Sequence, residues 1–144
     1  MPAAWSLHPQ LANDTAPVGD LPLCRVLLTR DANYPWLVLV PRRADIVEII
    51  DLDDSDAARL MTEIAHVSRA LRAATGCDKL NVAALGNMVP QLHVHVIARR
   101  RNDAVWPRPI WGVVPAKPYA ADEIDTFIAA LRRHLWPEQS GSDS

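Results

Sequence analysis

Apolar and polar side chains alternate from residue 91 to residue 96, within a longer stretch of strand-forming residues. In a β-strand, successive side chains point to opposite faces of the sheet. One set is apolar and is expected to enter a core: Leu92, Val94 and Val96. The other set is polar and is expected to share the opposite face: Gln91, His93 and His95. The pattern predicts a strand over Gln91–Ala98 that presents two imidazoles and an amide in one row.

Three further segments have the composition of strands. Trp36–Val40 is an unbroken apolar run, which is typical of a strand covered on both faces and predicts a central position in the sheet. Leu21–Thr29 is expected to form the first long strand. Leu80–Leu85 is expected to pair with Gln91–Ala98 as a hairpin across the turn Gly86–Pro90.

Two segments have the spacing of amphipathic helices. Over residues 56–75, apolar residues recur every three or four positions: Leu60, Ile64, Val67, Leu71 and Ala74. Ser55 or Asp54 is the expected N-cap of this helix, and Gly76 is its expected C-terminal stop. Residues 122–136 predict a second helix, with basic side chains in its last turn, where they suit the helix dipole.

The remaining segments carry weaker signals. Residues 1–20 are rich in turn-forming residues and are expected to be irregular, with His8 in an exposed loop. Ala44–Leu52 fits a short helical turn or a short strand equally well. His66 falls away from the apolar stripe of its helix and is expected to face solvent. Residues 102–112 predict an ordered loop whose tryptophans could pack in the core, wall a ligand pocket or form a subunit interface: Trp106 and Trp111.

The order of these elements indicates the fold class. Strands joined by short turns, one long helix between strand pairs and one C-terminal helix predict an α+β domain. We expect a mainly antiparallel sheet with the helices on one face. At 144 residues, one domain is the simplest organisation, and we place it over residues 1–136, followed by a disordered tail over residues 137–144.

Composition narrows the classes of function. A formal net charge of −2 argues against a protein that wraps a nucleic-acid polymer, which needs a clustered basic surface. Cys24 and Cys77 stand alone and are expected to be reduced thiols. No apolar run reaches the ~20 residues of a membrane span, and no secretory signal is evident at the N-terminus. We therefore expect a cytoplasmic protein with no membrane partner.

A His-x-His pair on a strand is compatible with several kinds of site. Cupin-type metal sites also use this pair but need a glutamate a few residues later, and here none follows before Glu123. A zinc site would need a third protein ligand, which could come only from distant positions: His8, Cys24 or Cys77. Phosphodiesterases with two His-x-Ser/Thr motifs are excluded, since neither motif is present. A purely structural pair remains an alternative.

Nucleophilic catalysis at phosphorus suits the pair better. Neutral imidazole is a competent nucleophile at neutral pH, because its ordinary pKa is about 6.5. Covalent catalysis divides one difficult displacement into two easier steps. A second imidazole can donate a hydrogen bond to a phosphate or leaving-group oxygen, while amide and backbone N–H groups stabilise the developing charge. The preceding turn, Gly86–Pro90, can supply such donors.

The motif over residues 86–99 resembles the signature of the histidine triad (HIT) superfamily, in which histidines alternate with apolar residues after a glycine and a polar residue. The resemblance extends more loosely over residues 21–101 and is greatest to bacterial proteins akin to the diadenosine-polyphosphate hydrolases. It implies an antiparallel sheet with flanking helices, assembled as a homodimer. It also implies nucleotidyl transfer or hydrolysis at the α-phosphate of a nucleoside phosphate derivative, such as a dinucleoside polyphosphate or a nucleoside phosphoramidate.

The resemblance also assigns roles to residues. His93 matches the middle histidine, the nucleophile that forms a nucleotidyl-histidine intermediate, which water then hydrolyses. His95 matches the last histidine and is expected to contact the phosphate or the leaving group. The amides are expected to contact the phosphate, Asn81 on the α-phosphate and Asn87, after Gly86, on the scissile side. The resemblance places the purine pocket loosely along the early strands, near residues 23–28.

Gln91 departs from the family pattern, because it stands where the first histidine belongs. A glutamine can orient a neighbouring imidazole or backbone group but cannot carry a proton. No cofactor is expected to be required, and Mg²⁺ would only screen the charge of a polyphosphate substrate. Two alternatives to the enzyme stay open: a nucleotide-binding regulatory module with little turnover, and a metal-binding protein that uses His93 and His95.

Overall fold

The computed structural model describes residues 4–138. Its helices and strands follow one another in this order: α1 (Pro9–Asp14), β1 (Thr15–Asp20), β2 (Cys24–Thr29), β3 (Trp36–Pro41), α2 (Asp54–Thr75), β4 (Lys79–Ala83), β5 (Val94–Arg99) and α3 (Ala121–Leu135). One 3₁₀ turn, Ile49–Asp51, precedes α2 and is the only regular piece within the segment 44–52, for which the sequence predicted either a helical turn or a strand.

The five strands form one sheet in the order β1-β2-β3-β5-β4, and every neighbouring pair is antiparallel. The predicted α+β class with a mainly antiparallel sheet is confirmed. The central position predicted for Trp36–Val40 is also confirmed, since β3 lies between β2 and β5. The predicted pairing of β4 with β5 is confirmed too, with Ala83 opposite His95, but the loop that joins them spans residues 84–93 and is longer than the predicted turn Gly86–Pro90.

The sheet separates two apolar layers. On one face, the long helices α2 and α3 cover the main core, which receives Leu37 and Leu39 from β3. The three apolar residues of the alternating stretch enter this core as predicted: Leu92, Val94 and Val96. On the opposite face, Val38 packs with Leu11 of α1 in a smaller cluster. His95 lies opposite Val38 in the β3–β5 pairing, so its side chain lies on this second face, away from the long helices.

The prediction that residues 1–20 are irregular is wrong for residues 9–20, which form α1 and β1, whereas residues 4–8 have no regular structure and residues 1–3 lie outside the described part of the chain. His8 caps α1 by accepting a hydrogen bond from the backbone N–H of Gln10 to its Nδ1 atom, and Pro9 occupies the first helical position. His8 is thus a half-buried capping residue and not an exposed loop histidine. The following β1 strand is an edge strand with a bulge between Pro17 and Gly19, which is where sheets tolerate such residues.

The first long strand begins at Cys24 and not at Leu21. The backbone N–H of Leu21 donates to the carbonyl of Cys24, which closes a turn. Glu63, a buried residue of α2, accepts hydrogen bonds from the N–H groups of Leu23 and Cys24 at 2.9 and 2.7 Å. These N–H groups are satisfied by a helix side chain instead of a neighbouring strand, so the strand starts later.

Two details of α2 differ from the prediction. Its N-cap is Asp53, which accepts from the backbone N–H of Asp56 at 2.7 Å, so the helix begins earlier than residue 56. His66 does not face solvent. It is half-buried, and its Nε2 atom lies 2.9 Å from the carbonyl oxygen of Leu135, because α3 packs on the side that an isolated helix would expose. The C-terminal stop at Gly76 is confirmed by a left-handed φ of 63°.

The strand predicted over Gln91–Ala98 begins only at Val94. The backbone N–H of Leu92 donates to the carbonyl of Ile46, in the segment before α2, at 3.0 Å. Gln91 and His93 therefore belong to the loop that leads into β5, and only His95 lies on the strand itself. The predicted row of three polar side chains does not form.

The last helix agrees with the prediction to within one residue at each end. Of the predicted disordered tail 137–144, residues 139–144 lie outside the part of the chain that the structure describes. No helix between residues 4 and 138 is both long enough and apolar enough to cross a membrane.

Candidate active site

His93 and His95 lie side by side where the β4–β5 loop enters β5. Their ring centroids are 4.9 Å apart, and the rings meet edge to face at 73°. Both residues are buried, each with 7% of its surface exposed. Although His93 precedes the strand, the structure brings the two predicted histidines together.

A backbone carbonyl fixes the proton of the His93 ring. The Nδ1 atom of His93 lies 2.7 Å from the carbonyl oxygen of Gln91. A carbonyl can only accept a hydrogen bond, so Nδ1 must carry the proton. In the neutral ring, Nε2 is then left with a free lone pair. No residue among 4–138 forms a hydrogen bond to this Nε2 atom, which is therefore available to a substrate.

An indole contacts the second imidazole. Trp36, the first residue of β3, donates from Nε1 to His95 Nδ1 at 3.0 Å. Burial, and to a lesser extent the neighbouring His93, lower the pKa of His95 to about 4. His95 is therefore neutral at physiological pH.

Trp111 covers the other side of His95. The centroids of these rings are 5.1 Å apart at 74°, and Trp111 also meets Trp36 edge to face at 6.1 Å. Of the three roles considered for the tryptophans of this loop, Trp111 lines a cleft. Trp106 instead packs over the guanidinium of Arg99 at 5.4 Å.

A buried ion pair holds the loop that carries Trp111. Arg99, which is 1% exposed, donates from Nε and Nη2 to the carboxylate of Asp103 at 2.7 and 3.1 Å. Asp103 also accepts from the backbone N–H groups of Val105 and Trp106. Burial alone would raise the pKa of Asp103, but the hydrogen bonds from Arg99 and from the backbone outweigh burial and hold that pKa below its ordinary value.

Asn81 belongs to this buried network. Its Oδ1 atom accepts from Nη1 of Arg99 at 2.9 Å. Asn81 lies opposite Ile97 in the sheet, on the same face as His95, but it is not among the residues that line the clefts next to the histidines. Its amide nitrogen keeps its donor capacity.

The principal cleft has a volume of about 370 Å³ and contains both histidines. This volume falls within the range of small-molecule sites. Its apolar wall consists of Leu11, Trp36, Val38, Leu85, Met88, Val89 and Trp111. Its polar side chains are Asp14, Thr15, Thr29, Asn87, His93 and His95. An amphiphilic ligand with one flat apolar part fits such a lining.

Gly86 and Asn87 form the rim of this cleft. Gly86 has a left-handed φ of 73°, and a Cβ atom there would meet only ordinary contacts, so the backbone angle and not the available space calls for glycine. Asn87 is exposed next to it. The turn thus brings the amide side chain of Asn87 into the lining of the same cleft as His93.

A smaller cleft of about 220 Å³ is also lined by His93, Gly86 and Leu85. Its remaining lining is mostly apolar: Val47, Glu48, Ile49, Ile50, Ala84 and Leu92. No lysine or arginine of the described chain lines either cleft that contains His93. The charged side chains that do line them are acidic: Asp14 and Glu48.

The side chain of Gln91 binds the N-terminal segment and not the two histidines. Its Oε1 atom accepts from the backbone N–H of His8 at 2.8 Å, and its Nε2 atom donates to the carbonyl of Ser6 at 2.9 Å. Gln91 therefore fastens the N-terminal segment to the loop before β5. It is not among the lining residues of the clefts that contain His93.

Between residues 4 and 138, no group of three or more His, Cys, Asp or Glu side chains is arranged to hold a metal ion. His8, Cys24 and Cys77 do not join the two histidines there. The predicted residues that the structure brings together at the principal cleft are thus His93, His95, Asn87 and Gly86.

The sequence prediction missed Trp36 and Asp103 as parts of the site. Trp36 gave only the signal of a core strand, because it begins an apolar run. Asp103 follows Asn102 in a turn-like segment, where an aspartate that accepts backbone N–H groups is common, and that signal was available.

A family model described as HIT domain matches residues 10–102. Among solved structures, a histidine triad protein from Bradyrhizobium japonicum is 64% identical and superposes with a TM-score of 0.92, over 93% of this chain and 100% of that chain. A histidine triad protein from Sinorhizobium meliloti is 46% identical with a TM-score of 0.89, over 91% and 97% of the two chains.

A more distant curated relative carries an enzyme name. The adenylylsulfatase HINT3 from Arabidopsis thaliana is 25% identical over 121 residues, which cover 81% of this chain. The match spans 59% of the length of that relative.

Proposed function

Since this chain belongs to the histidine triad (HIT) family, we propose that it is a hydrolase or transferase that cleaves a nucleoside phosphate derivative at the α-phosphate. The observation that carries the proposal is the orientation of His93. Its Nδ1 atom is held by the carbonyl of Gln91, and its Nε2 lone pair is free beside a cleft of about 370 Å³.

In the proposed reaction, Nε2 of His93 attacks the α-phosphorus, and the bond between phosphorus and the leaving group breaks with its electron pair going to the leaving group. This gives a nucleotidyl-His93 intermediate. The leaving group takes up a proton from solvent. Water then attacks phosphorus and releases a proton to solvent, while the P–N bond breaks and its electron pair returns to Nε2. His95 donates a hydrogen bond to a phosphoryl or leaving-group oxygen, where charge develops.

We propose that the substrate phosphate binds next to the turn that precedes the histidines. Asn87 and Gly86 are proposed to contact the phosphate, because they form the rim next to His93. Asn81 is proposed to reach the substrate only through its amide nitrogen, since Arg99 occupies its amide oxygen. Gln91 is proposed to act through its backbone carbonyl, which orients His93.

The charges of the site favour one class of substrate. A dinucleoside polyphosphate carries several negative charges, and phosphate-binding sites usually neutralise such charges with Lys or Arg. Within residues 4–138, the clefts that contain His93 are lined by the acidic side chains Asp14 and Glu48 and by no lysine or arginine. We therefore favour a nucleotide with a single phosphate at the reaction centre, such as a nucleoside phosphoramidate or an adenylyl ester. The name of the adenylylsulfatase relative supports the same choice.

A substrate panel tests the proposal. Turnover of adenosine phosphoramidate, adenylylsulfate and diadenosine tetraphosphate is measured for the wild type and for His93→Gln. We expect kcat/KM to be highest for a substrate with a single phosphate, and turnover to be lost in the variant. Binding of AMP without turnover of any of these compounds would contradict the proposed enzyme activity and would indicate a nucleotide-binding module.

We also propose that the protein assembles as a homodimer. Four large apolar side chains that line the smaller cleft are exposed to solvent: Val47 (46%), Ile49 (48%), Ile50 (89%) and Leu85 (52%). A cluster of this kind is typical of a surface that a partner covers. Light scattering after size-exclusion chromatography should give twice the monomer mass, and Ile50→Glu should shift the mass towards the monomer. A wild-type monomer at all concentrations would contradict this.

A further inference from the structure

Trp36 and His95 are diagonal neighbours on adjacent strands. Val38 lies directly opposite His95, so Trp36, two residues earlier on the same face, reaches across to the imidazole. The indole Nε1 atom lies 3.0 Å from His95 Nδ1, with ring centroids 5.6 Å apart and a tilt of 51° between the planes. The contact is therefore a hydrogen bond between ring edges and not a parallel stack.

The chemistry of the indole determines the direction of this bond. An indole N–H can only donate, so His95 Nδ1 must accept with its lone pair. A neutral imidazole carries one proton, which then lies on Nε2. Neither Nε2 of His95 nor Nε2 of His93 has a hydrogen-bond partner within residues 4–138.

The two adjacent imidazoles are consequently held in opposite tautomers. His93 keeps its proton on Nδ1, against the carbonyl of Gln91, and offers a lone pair at Nε2. His95 keeps its lone pair on Nδ1, against Trp36, and offers an N–H at Nε2. One ring is thereby prepared as a nucleophile and the other as a hydrogen-bond donor.

The surroundings of His95 support a neutral donor. Trp36 and Trp111 pack on the ring, and the titratable groups that share the cleft with it are His93 and Asp14. Asp14 already accepts two hydrogen bonds from the side chain of Gln10, at 3.0 Å each. His93 is therefore the only titratable residue in ring contact with His95 within the described chain.

We propose that Trp36 is a positioning residue that holds the proton of His95 on Nε2, so that His95 presents a neutral N–H donor to the phosphoryl group. The tautomer follows from the geometry alone, whereas the role towards phosphate rests on the proposed function. Trp36 acts through His95 and is not assigned any contact with the reacting atoms.

Nitrogen NMR tests the tautomer without any substrate. In uniformly ¹⁵N-labelled protein, with His95 assigned by comparison with His95→Gln, we expect a protonated Nε2 and an unprotonated Nδ1 at neutral pH. Trp36→Phe keeps an aromatic ring but removes the donor, and we expect its His95 Nδ1 to become partly protonated. Trp111→Phe is the matched control, because Trp111 contacts His95 without a hydrogen bond, and its His95 should keep the wild-type tautomer.

Kinetics test the role in turnover. With adenosine phosphoramidate as substrate, Trp36→Phe should lower kcat about tenfold, the effect of one hydrogen bond, while KM changes by less than about twofold. Three results would overturn the proposal. The first is a proton on Nδ1 of His95 in the wild type, which can be detected even if Trp36→Phe does not fold. The second is an unchanged tautomer of His95 in a folded Trp36→Phe protein, and the third is an unchanged kcat in that protein. Absence of turnover in the wild type, with the expected tautomer in the spectra, would remove the proposed function and leave the assignment of Trp36 standing.

Discussion

The Nδ1 atom of His93 lies 2.7 Å from the backbone carbonyl oxygen of Gln91, and this contact uses no side-chain atom of residue 91. The side chain of Gln91 instead binds the backbone of Ser6 and His8. Any residue at this position could supply the carbonyl. A glutamine at position 91 is therefore compatible with an oriented nucleophile at position 93.

Replacing Gln91 should affect stability more than catalysis. Gln91→Ala removes two hydrogen bonds to the N-terminal segment, and we expect the free energy of unfolding to fall by about 1–2 kcal/mol. The backbone carbonyl remains, so kcat should change by less than about threefold. Urea denaturation and steady-state kinetics on the same preparation measure both quantities.

Gln91→His is the complementary variant, because it introduces the histidine that the resemblance to the triad signature implies at this position. We expect no large gain in rate, since the side chain at this position points away from the cleft. A rise in kcat of about tenfold or more would show that the first position takes part in the chemistry, and would contradict the role assigned to the carbonyl.

The depressed pKa of His95 predicts a loss of stability in mild acid. The unfolded state takes up a proton on this residue near pH 6.5, whereas the folded state resists protonation down to about pH 4. The contribution of His95 to the free energy of unfolding is therefore fully present above pH 6.5, and it is lost as the pH decreases towards 4. Between pH 7.5 and 5, the wild type should lose about 2 kcal/mol more than His95→Gln in urea denaturation. Parallel pH profiles for the two proteins would be evidence against a buried, neutral His95.

Breaking the ion pair between Arg99 and Asp103 should be costly. Asp103→Asn leaves the buried guanidinium without its counter-charge, and we expect a loss of about 3 kcal/mol in the free energy of unfolding. Asp20→Asn is the matched control, because the pair of Asp20 and Arg25 is exposed and such pairs contribute at most about 1 kcal/mol. Equal losses in the two variants would contradict the structural role given to Asp103.

Trp111 is expected to act on substrate affinity. Trp111→Ala removes an aromatic wall of the principal cleft, and KM should rise about tenfold or more, as expected for the loss of one stacking partner of a base. Because Trp111 is 36% exposed, the melting temperature of the variant should stay close to that of the wild type. An unchanged KM would show that the nucleoside does not reach this wall.

The elements that could be predicted from the sequence are those defined by their own side-chain pattern. The apolar run from Trp36 identified the central strand, and the helical spacing from Leu60 identified α2. The edge strand β1 escaped prediction because it contains Pro17 and Gly19 and is held by pairing with β2. Its partners lie 5 to 14 residues later in the chain, from Asp20 opposite Arg25 to Thr15 opposite Thr29, and the side-chain pattern of β1 itself does not report this pairing.

The same distinction applies to the site. His93, His95, Gly86 and Asn87 are adjacent in sequence, so their motif could be recognised directly. The partner of His95, in contrast, is Trp36, 59 residues away, and the side chain of Gln91 finds its partners 83 and 85 residues away. The sequence identifies which groups can do the chemistry, whereas only the folded chain determines which atom of each ring is free.

We expect His93 to become covalently nucleotidylated during turnover. The protein is mixed with adenosine phosphoramidate, quenched in alkali within one turnover and analysed by intact-mass and peptide-mapping mass spectrometry. We predict one added adenylyl group on the peptide that contains His93, absent in His93→Gln and present in His134→Gln, whose histidine is exposed at the end of α3. Turnover without an adduct, or an adduct on a different residue, would contradict the account.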